Sequence, residues 1–111
     1  MKHKMMLNNS PFYAIKSGTK VIEMRLCDEK RKLIKIGDEI EFTNRENGEK
    51  LPRRVCNLTK FKDFEDLYRC FNKVSLGYLE NEDAKHEDMS KYYTKEEIQK
   101  YGVLAIEIEI M

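Results

Sequence analysis

The segment Gly18–Arg25 reads GTKVIEMR and is followed, after a charged stretch, by Ile36–Asp38, which reads IGD. A glycine able to adopt positive φ precedes a run of residues typical of a β-strand. Glu23 and Arg25 are two residues apart in this run, so both point to one side of the strand, whereas Lys20 has the opposite parity. Because a complementary charge pair within a strand is unusual, this segment is the candidate site.

The composition is that of an ordinary soluble protein, with 41% apolar and 37% charged residues among 111. This length allows one domain, residues 1–111, with a single modest core. No segment has the roughly 18 to 20 consecutive apolar residues that cross a bilayer. The apolar run near the N-terminus is only three residues long, too short for a secretory signal. We therefore expect a cytoplasmic protein that does not associate with a membrane.

Cysteine and histidine usage argues against disulfide and metal chemistry. Cys27, Cys56 and Cys70 are odd in number and widely separated, which predicts reduced thiols. With only His3 and His86, the sequence has no recognisable zinc ligand set. We expect neither a metal nor a cofactor.

The net charge of +1 conceals two halves of opposite sign. Residues 16–62 contain 13 Lys and Arg against 8 Asp and Glu, whereas residues 63–111 contain 6 against 12. This pattern predicts a polarised surface whose basic half is able to hold phosphate. The basic stretch 28–35 has two interpretations, a solvated loop or an arm that faces phosphate.

The patterns predict the order β-α-β-β-β-α-α-α-β. Asn47-Gly48 indicates a hairpin, Pro52 places its strand start at an edge or bulge, and Thr94 with Glu97 forms a capping box. Helix starts are predicted at Ser10-Pro11 and Asp63. The strands are predicted over residues 2–7, 20–27, 39–43, 51–61 and 103–110. The last of these is predicted to emerge at an edge, where Ile108 to Ile110 could pair between chains.

Strands of mixed length with one late return strand favour an α+β fold, a small, partly closed mixed β-barrel with peripheral helices. The motif G-x-K-x-x-E-x-R is followed by I-K-x-G-D-x-I-x-F over Ile34–Phe42 and by Tyr101–Ile106. In this combination the chain resembles an ASCH domain, of the PUA-like superfamily of RNA-associated pseudo-barrels. Leu76-Gly77-Tyr78 and the region from Tyr92 to Gly102 resemble stand-alone bacterial members.

The resemblance implies binding of RNA, a nucleotide or a nucleoside in a cleft lined by the motif, in an RNA- or translation-related role. The cleft would be lined by Lys20, Glu23 and Arg25, with the turns at Gly18 and Gly37 shaping it. One branch of the superfamily deacetylates N4-acetylcytidine with a lysine at the position of Lys20 and a threonine nucleophile three residues later. Glu23 occupies that later position here, so the nucleophile is missing.

Three interpretations of the charged residues stay open from sequence. In the first, Glu23 and Arg25 form a structural ion pair contributing about 0–1 kcal/mol. In the second, Arg25 and Lys20 bind phosphate, Glu23 accepts from an exocyclic amino group, and Tyr78 or Tyr93 stacks on a base.

In the third interpretation, Glu23 is a general base and Lys20 or Arg25 stabilises an oxyanion, giving an amidohydrolase or ribonuclease without metal. A second acid could come from Glu80, Glu82 or Glu87. An interaction module built on the acidic half is a further class without a specific motif. The natural ligand and the oligomeric state do not follow from the sequence.

Overall fold

Five strands form one curled sheet in the computed structural model, which describes all 111 residues. The strands are β1 (Lys2–Leu7), β2 (Ile22–Leu26), β3 (Glu39–Asn44), β4 (Lys50–Phe61) and β5 (Val103–Glu109). Their order in the sheet is β1-β3-β4-β5-β2, and only β1 and β3 are parallel. The two edge strands are thus β1 and β2.

The curl of the sheet brings these two edges together. In a flat sheet, four spacings of about 4.8 Å would separate β1 from β2. Instead, Arg25 Nη2 on β2 donates a hydrogen bond of 3.0 Å to the Met6 carbonyl on β1. The sheet is therefore a half-barrel with an open seam between its edge strands, as the predicted partly closed barrel requires.

Three short helices and two 3₁₀ turns lie around the sheet. The helices are α1 (Asn9–Ser17), α2 (Phe64–Cys70) and α3 (Lys95–Tyr101), and the 3₁₀ turns cover Arg31–Leu33 and His86–Lys91. The predicted order of strands and helices is confirmed except at the middle one of the three helices predicted between β4 and β5, which is a 3₁₀ turn over His86–Lys91. None of the helices has the length and apolar character needed to span a membrane.

Two of the three predicted helix starts are confirmed, and the third helix begins earlier than predicted. Asp63 accepts from the backbone of the first turn of α2, and Thr94 forms the reciprocal capping box with Glu97. Helix α1, however, starts earlier than the Ser10-Pro11 signal predicts. Asn8 is its N-cap, and the Asn8 carbonyl accepts the first backbone hydrogen bond of the helix.

Strand β5 lies inside the sheet, so the predicted edge from Ile108 to Ile110 is wrong. Ile108 pairs with Val55 on β4, and its N–H donates to the Val21 carbonyl on the other side. Alternation of apolar and polar residues indicates which face of a strand is buried. It cannot distinguish an edge strand from a central strand, because it does not indicate whether other strands pair with it on one side or on both. The Pro52 prediction is confirmed, since pairing of β4 with β5 begins only at Arg54.

The apolar side chains form two clusters on opposite faces of the sheet. On β5, alternate residues enter each cluster, which explains the continuous apolar run at its start. The inner cluster packs against α1, and the outer cluster against α2, α3 and the segment between them. The inner cluster comprises Met5, Leu7, Phe12, Ile15, Cys27, Ile34, Ile40, Phe42, Val55, Leu104, Ile106 and Ile108. The outer cluster comprises Ile22, Met24, Leu26, Phe64, Leu67, Leu76, Met89, Val103 and Ala105.

Candidate functional site

Strand β2 presents its two charged residues to the inner side of the half-barrel. Glu23 pairs in register with Ile106 and Arg25 with Leu104, and both partners belong to the inner cluster. Residues directly opposite in an antiparallel pair point to the same face. The alternation that predicted a shared side for Glu23 and Arg25 therefore holds, and that side faces the seam between β1 and β2.

Lys20 joins these residues although strand parity predicts it on the opposite side. Its Nζ lies 3.0 Å from Glu23 Oε1. The parity prediction is wrong because β2 begins only at Ile22, and both Val21 and Ile22 donate to the Ser75 carbonyl, so the chain before Ile22 does not follow the strand. The Lys20 stem runs beside Gly77, where a Cβ atom would lie 3.0 Å from Lys20 Cδ.

Glu23 is a buried carboxylate held by two cations. Lys20 pairs with Oε1, while Arg25 reaches Oε2 through Nε at 2.9 Å and Nη2 at 2.8 Å. The side chain of Glu23 is only 5% exposed. Burial by itself raises the pKa of Glu23, but the charges and hydrogen bonds of Lys20 and Arg25 outweigh it, so the net pKa lies below the ordinary value. Glu23 is therefore ionised at neutral pH.

This geometry makes Glu23 a poor general base and a good anchor for cations. A carboxylate with a lowered pKa is a weak proton acceptor, and here both oxygens are already engaged. The cations, in contrast, retain donors. Arg25 Nη1 has no acceptor within the protein, and Glu23 is the one carboxylate paired with the Lys20 ammonium, which carries three N–H groups.

These residues form part of the wall of a cleft that encloses about 730 Å³ between the edge strands and the segment from Tyr68 to Tyr93. Five cations and three carboxylates line it, so its charge balance is positive. The charged lining residues are Lys20, Arg25, Arg31, Arg45, Lys91, Glu23, Glu82 and Asp88. The remaining lining residues are Met6, Leu7, Asn8, Ser10, Pro11, Met24, Tyr68, Leu76, Gly77, Tyr78, Met89, Tyr92 and Tyr93.

The tyrosines predicted to stack are only partly exposed. Tyr78 donates to Asp88 Oδ2 at 2.7 Å and packs edge-to-face on Tyr68. Burial, together with the hydrogen bond that Tyr78 donates to Asp88, raises the Tyr78 pKa far above the ordinary value, so the hydroxyl stays protonated. The ring of Tyr93 stacks on Phe64, with centroids 5.9 Å apart, and burial raises its pKa as well.

The other predicted site residues are distributed unevenly. Glu82 lines the cleft, Glu80 lines a second, adjoining cavity, and Glu87 lines neither. Gly18 ends α1 in the left-handed conformation, with φ of 90°, but does not line the cleft. Gly37 lies outside it as well, in the turn that leads to Asp38.

Several residues of the cleft were not predicted from the sequence, and Arg31 was included only as part of the basic stretch 28–35. Arg31 belongs to the basic stretch 28–35 and reaches the cleft, while Lys32 pairs on the exposed surface with Glu29. Arg31 Nε is buried without a partner, although Nη1 pairs with Asp28. Asp88 and Tyr92 were not selected for the cleft, because nothing in their local sequence indicates that the acidic segment folds over it.

Metal binding has no ligand set in this structure. No three His, Cys, Asp or Glu side chains converge in an arrangement suited to a metal ion. The side chains that line the cleft offer hydrogen bonding, ion pairing and aromatic stacking.

Comparisons with known proteins identify the family. The hypothetical protein PH0355 is 35% identical in sequence to this chain. Its crystal structure matches this structure with a TM-score of 0.80, and the match covers 100% of both chains. The solution structure of PF0455 from Pyrococcus furiosus is 35% identical with a TM-score of 0.71, covering 98% of this chain and 96% of that one.

A more distant match concerns the fold alone. The crystal structure of ASCH from Zymomonas mobilis is 14% identical with a TM-score of 0.68, covering 98% of this chain and 67% of that one. The curated proteins contain no significant match. The sequence model of the ASCH domain matches residues 5–111. The chain, with its curled five-stranded sheet, therefore belongs to the ASCH domain family.

Proposed function

We propose that this protein binds single-stranded RNA, or a nucleotide, in the cleft between β1 and β2. The observation that carries the proposal is that three cations, Lys20, Arg25 and Arg31, line the cleft, and that Lys20 and Arg25 keep N–H groups without an acceptor in the protein. The RNA class of the ligand rests on the family resemblance. The cleft adds the anion-binding and stacking chemistry such a ligand requires.

The phosphate would be held by donors that the protein itself does not use. Glu23 orients the Lys20 ammonium and the Arg25 guanidinium, and Arg25 Nη1 keeps two N–H groups for a ligand. The planar guanidinium suits two phosphate oxygens at once, whereas lysine acts as a point charge. Arg31 adds a third cation and a buried Nε without a partner.

The base would be held by an aromatic side chain beside these cations. Tyr92 lines the cleft with 57% of its surface exposed, so one face of its ring is accessible for stacking. Stacking of a base on an aromatic ring contributes about 1–3 kcal/mol. The adjoining cavity shares Ser10, Gly77, Tyr78 and Glu82 with the cleft and encloses about 550 Å³, which offers room for a neighbouring nucleotide.

The proposal is tested by fluorescence anisotropy with a labelled single-stranded RNA at several salt concentrations. Arg31→Ala and Tyr92→Ala are the primary variants, since neither leaves Glu23 unpaired. Arg31→Ala should weaken binding and reduce the salt slope by about 0.7, the value for one phosphate contact on a single strand. Tyr92→Ala should weaken binding about ten-fold without changing the slope.

Lys62→Ala is the matched control, because Lys62 is a surface cation with 77% of its side chain exposed and lies outside the cleft. Its affinity should stay close to that of the unaltered protein. RNA affinity that is lowered equally by Lys62→Ala and Arg31→Ala would mean non-specific attraction to the basic half, and would contradict a specific cleft.

The hydrolytic alternative lacks support from Glu23. Its lowered pKa and its engagement with two cations oppose a role as general base. Incubation of the protein with N4-acetylcytidine is therefore expected to yield no cytidine above a protein-free control. Turnover that disappears in Glu23→Gln would reverse this conclusion.

A further inference from the structure

We infer that Asp88 makes the cleft prefer a base that carries an exocyclic amino group, such as cytosine, over uracil. This inference rests on the proposed binding of RNA and specifies which bases the site accepts. It transfers the base-reading role that the sequence assigned to Glu23 to another carboxylate that lines the cleft.

Asp88 is half-buried in the cleft wall and has one oxygen in use and one available. Its Oδ2 accepts the hydroxyl of Tyr78 at 2.7 Å. No hydrogen bond or ion pair within the protein involves Oδ1. Because Arg31 Nε is the one buried side-chain nitrogen or oxygen without a partner, Asp88 Oδ1 is accessible to solvent, and Asp88 itself lines the cleft.

A chain of hydrogen bonds holds this carboxylate in place. The Tyr78 hydroxyl donates to Asp88 and lies 2.8 Å from the Tyr68 hydroxyl, so Tyr68 donates to Tyr78. The two rings pack edge-to-face with centroids 6.0 Å apart. Asp88 Oδ1 is consequently a preorganised acceptor, which discriminates between ligands better than a mobile side chain does.

The other two carboxylates of the cleft cannot take this role. Both oxygens of Glu23 are held by Lys20 and Arg25. Glu82 is exposed, and its Oε1 accepts the backbone N–H of Leu79. Asp88 also has the better neighbour, since Tyr92, the proposed stacking residue, lies in the same short segment and donates its N–H to the Met89 carbonyl.

The preference follows from the donors and acceptors of the bases. An ionised carboxylate only accepts hydrogen bonds. Cytosine presents an N4 amino group, a donor that Asp and Glu recognise, whereas uracil presents a carbonyl oxygen at the same position. Uracil would therefore place an acceptor against a fixed negative charge, and leaving a charged group without its hydrogen bond is costly.

The experiment compares labelled oligocytidine and oligouridine of equal length by anisotropy at one salt concentration. These polymers share backbone charge and ring size and differ in hydrogen bonding along one base edge, where cytosine has its amino group and an acceptor at N3 and uracil has a carbonyl oxygen and a donor at N3. The unaltered protein should bind oligocytidine about ten-fold more tightly. In Asp88→Asn, which keeps an acceptor for Tyr78 but adds an amide donor, the ratio should fall to about two or less.

Glu82→Gln is the matched control, because it removes the same charge from the same cleft and keeps an acceptor for Leu79. Glu82→Gln should strengthen the binding of oligocytidine and oligouridine alike and leave the ratio of their affinities unchanged. Tyr78→Phe removes the hydroxyl that positions Asp88, and its ratio should lie between those of the unaltered protein and Asp88→Asn.

Three results would overturn the inference. Equal affinity of the unaltered protein for the two oligomers overturns base selection but leaves RNA binding intact. If Asp88→Asn has an unchanged circular dichroism spectrum and keeps the same ratio of affinities for oligocytidine and oligouridine, Asp88 does not select the base. No binding of either oligomer at low salt overturns the proposed function itself, and the inference with it.

Discussion

Asp38 and Glu23 are two buried carboxylates with similar surroundings, but only the partners of Glu23 line the main cleft. Asp38 accepts hydrogen bonds from the Met1 amino group, the His3 ring and the Lys35 backbone, and lies outside both cavities. Glu23 is held by Lys20 and Arg25, which line the main cleft. The Asp38 cluster ties β1 to the start of β3.

The difference lies in the donors rather than in the carboxylates. Of the three groups around Asp38, one is a backbone N–H that has no further proton to offer. The cations around Glu23 both have N–H groups beyond those that Glu23 accepts, and these groups are on a cleft wall. A buried carboxylate is thus a candidate ligand site when its partners keep donors that face a cavity.

The largest expected effect comes from neutralising Glu23. Glu23→Gln leaves two cations buried without a counter-charge, so the free energy of unfolding should fall by about 3–5 kcal/mol. Added phosphate should restore part of this stability because it can replace the missing charge. Urea unfolding with and without phosphate measures both effects.

Asp38→Asn is the counterpart, and phosphate should not restore its stability because its partners do not face a cavity. A phosphate effect of equal size in both variants would remove the distinction between the two carboxylates. Glu49→Gln, at an exposed pair with Lys16, serves as the surface control and should cost less than about 1 kcal/mol.

A smaller effect is expected at the glycine beside Lys20. Gly77 has φ of +111°, and an added Cβ would lie 3.0 Å from Lys20 Cδ, whereas Gly48 has φ of +75° and open space around it. Alanine at either position should cost about 1–2 kcal/mol for the left-handed backbone. Gly77→Ala should in addition displace the Lys20 ammonium and weaken RNA binding several-fold, measured by urea unfolding and anisotropy.

Gly48→Ala should leave RNA affinity unchanged, since Gly48 does not line the cleft. If Gly77→Ala destabilises the protein as Gly48→Ala does and binds RNA as the unaltered protein does, the position of Lys20 does not matter for the ligand.

The smallest expected effect is a loss of stability at low pH, when Asp38 becomes protonated. The hydrogen bond from His3, reinforced by the Lys35 backbone and the Met1 amino group, lowers the pKa of Asp38 from 3.8 to about 2. Because the folded-state pKa is depressed, this contribution is complete above about pH 4 and is lost as the pH falls to about 2. The stability difference between the unaltered protein and Asp38→Asn should shrink over that interval in urea unfolding at stepped pH.

Glu23 should behave in the same direction, because its pKa is also lowered and its contribution disappears as the pH falls through that lowered value. A stability difference for Asp38→Asn that stays constant from pH 4 to pH 2 would contradict the assigned pKa of Asp38.

Local signals in the sequence predicted much of the fold. The caps at Asp63 and Thr94 and the alternation of β3 all involve residues within a few positions of one another. Such features are encoded in short segments because caps and strand alternation act over one turn or one strand. The motif from Gly18 to Arg25 identified the region of the cleft for the same reason.

The failures have a common physical origin in contacts between distant segments. Lys20 was assigned to the wrong side because the parity argument assumes a strand that starts two residues too early. Arg31, Asp88 and Tyr92 reach the cleft only through the fold of segments that follow β2 in the sequence. Periodicity reports which face of an element is buried, and it contains no information about which distant segment covers that face.

Local sequence was enough to predict the order of the five strands, the resemblance to the ASCH domain and the shared strand face of Glu23 and Arg25. The folded chain was needed to show that Lys20 completes this pair, that β5 is a central strand, and that Asp88 and Tyr92 line the same cleft as the cations. The physical reason is that local propensities specify elements, whereas a cleft exists only where the curled sheet brings its two edge strands together.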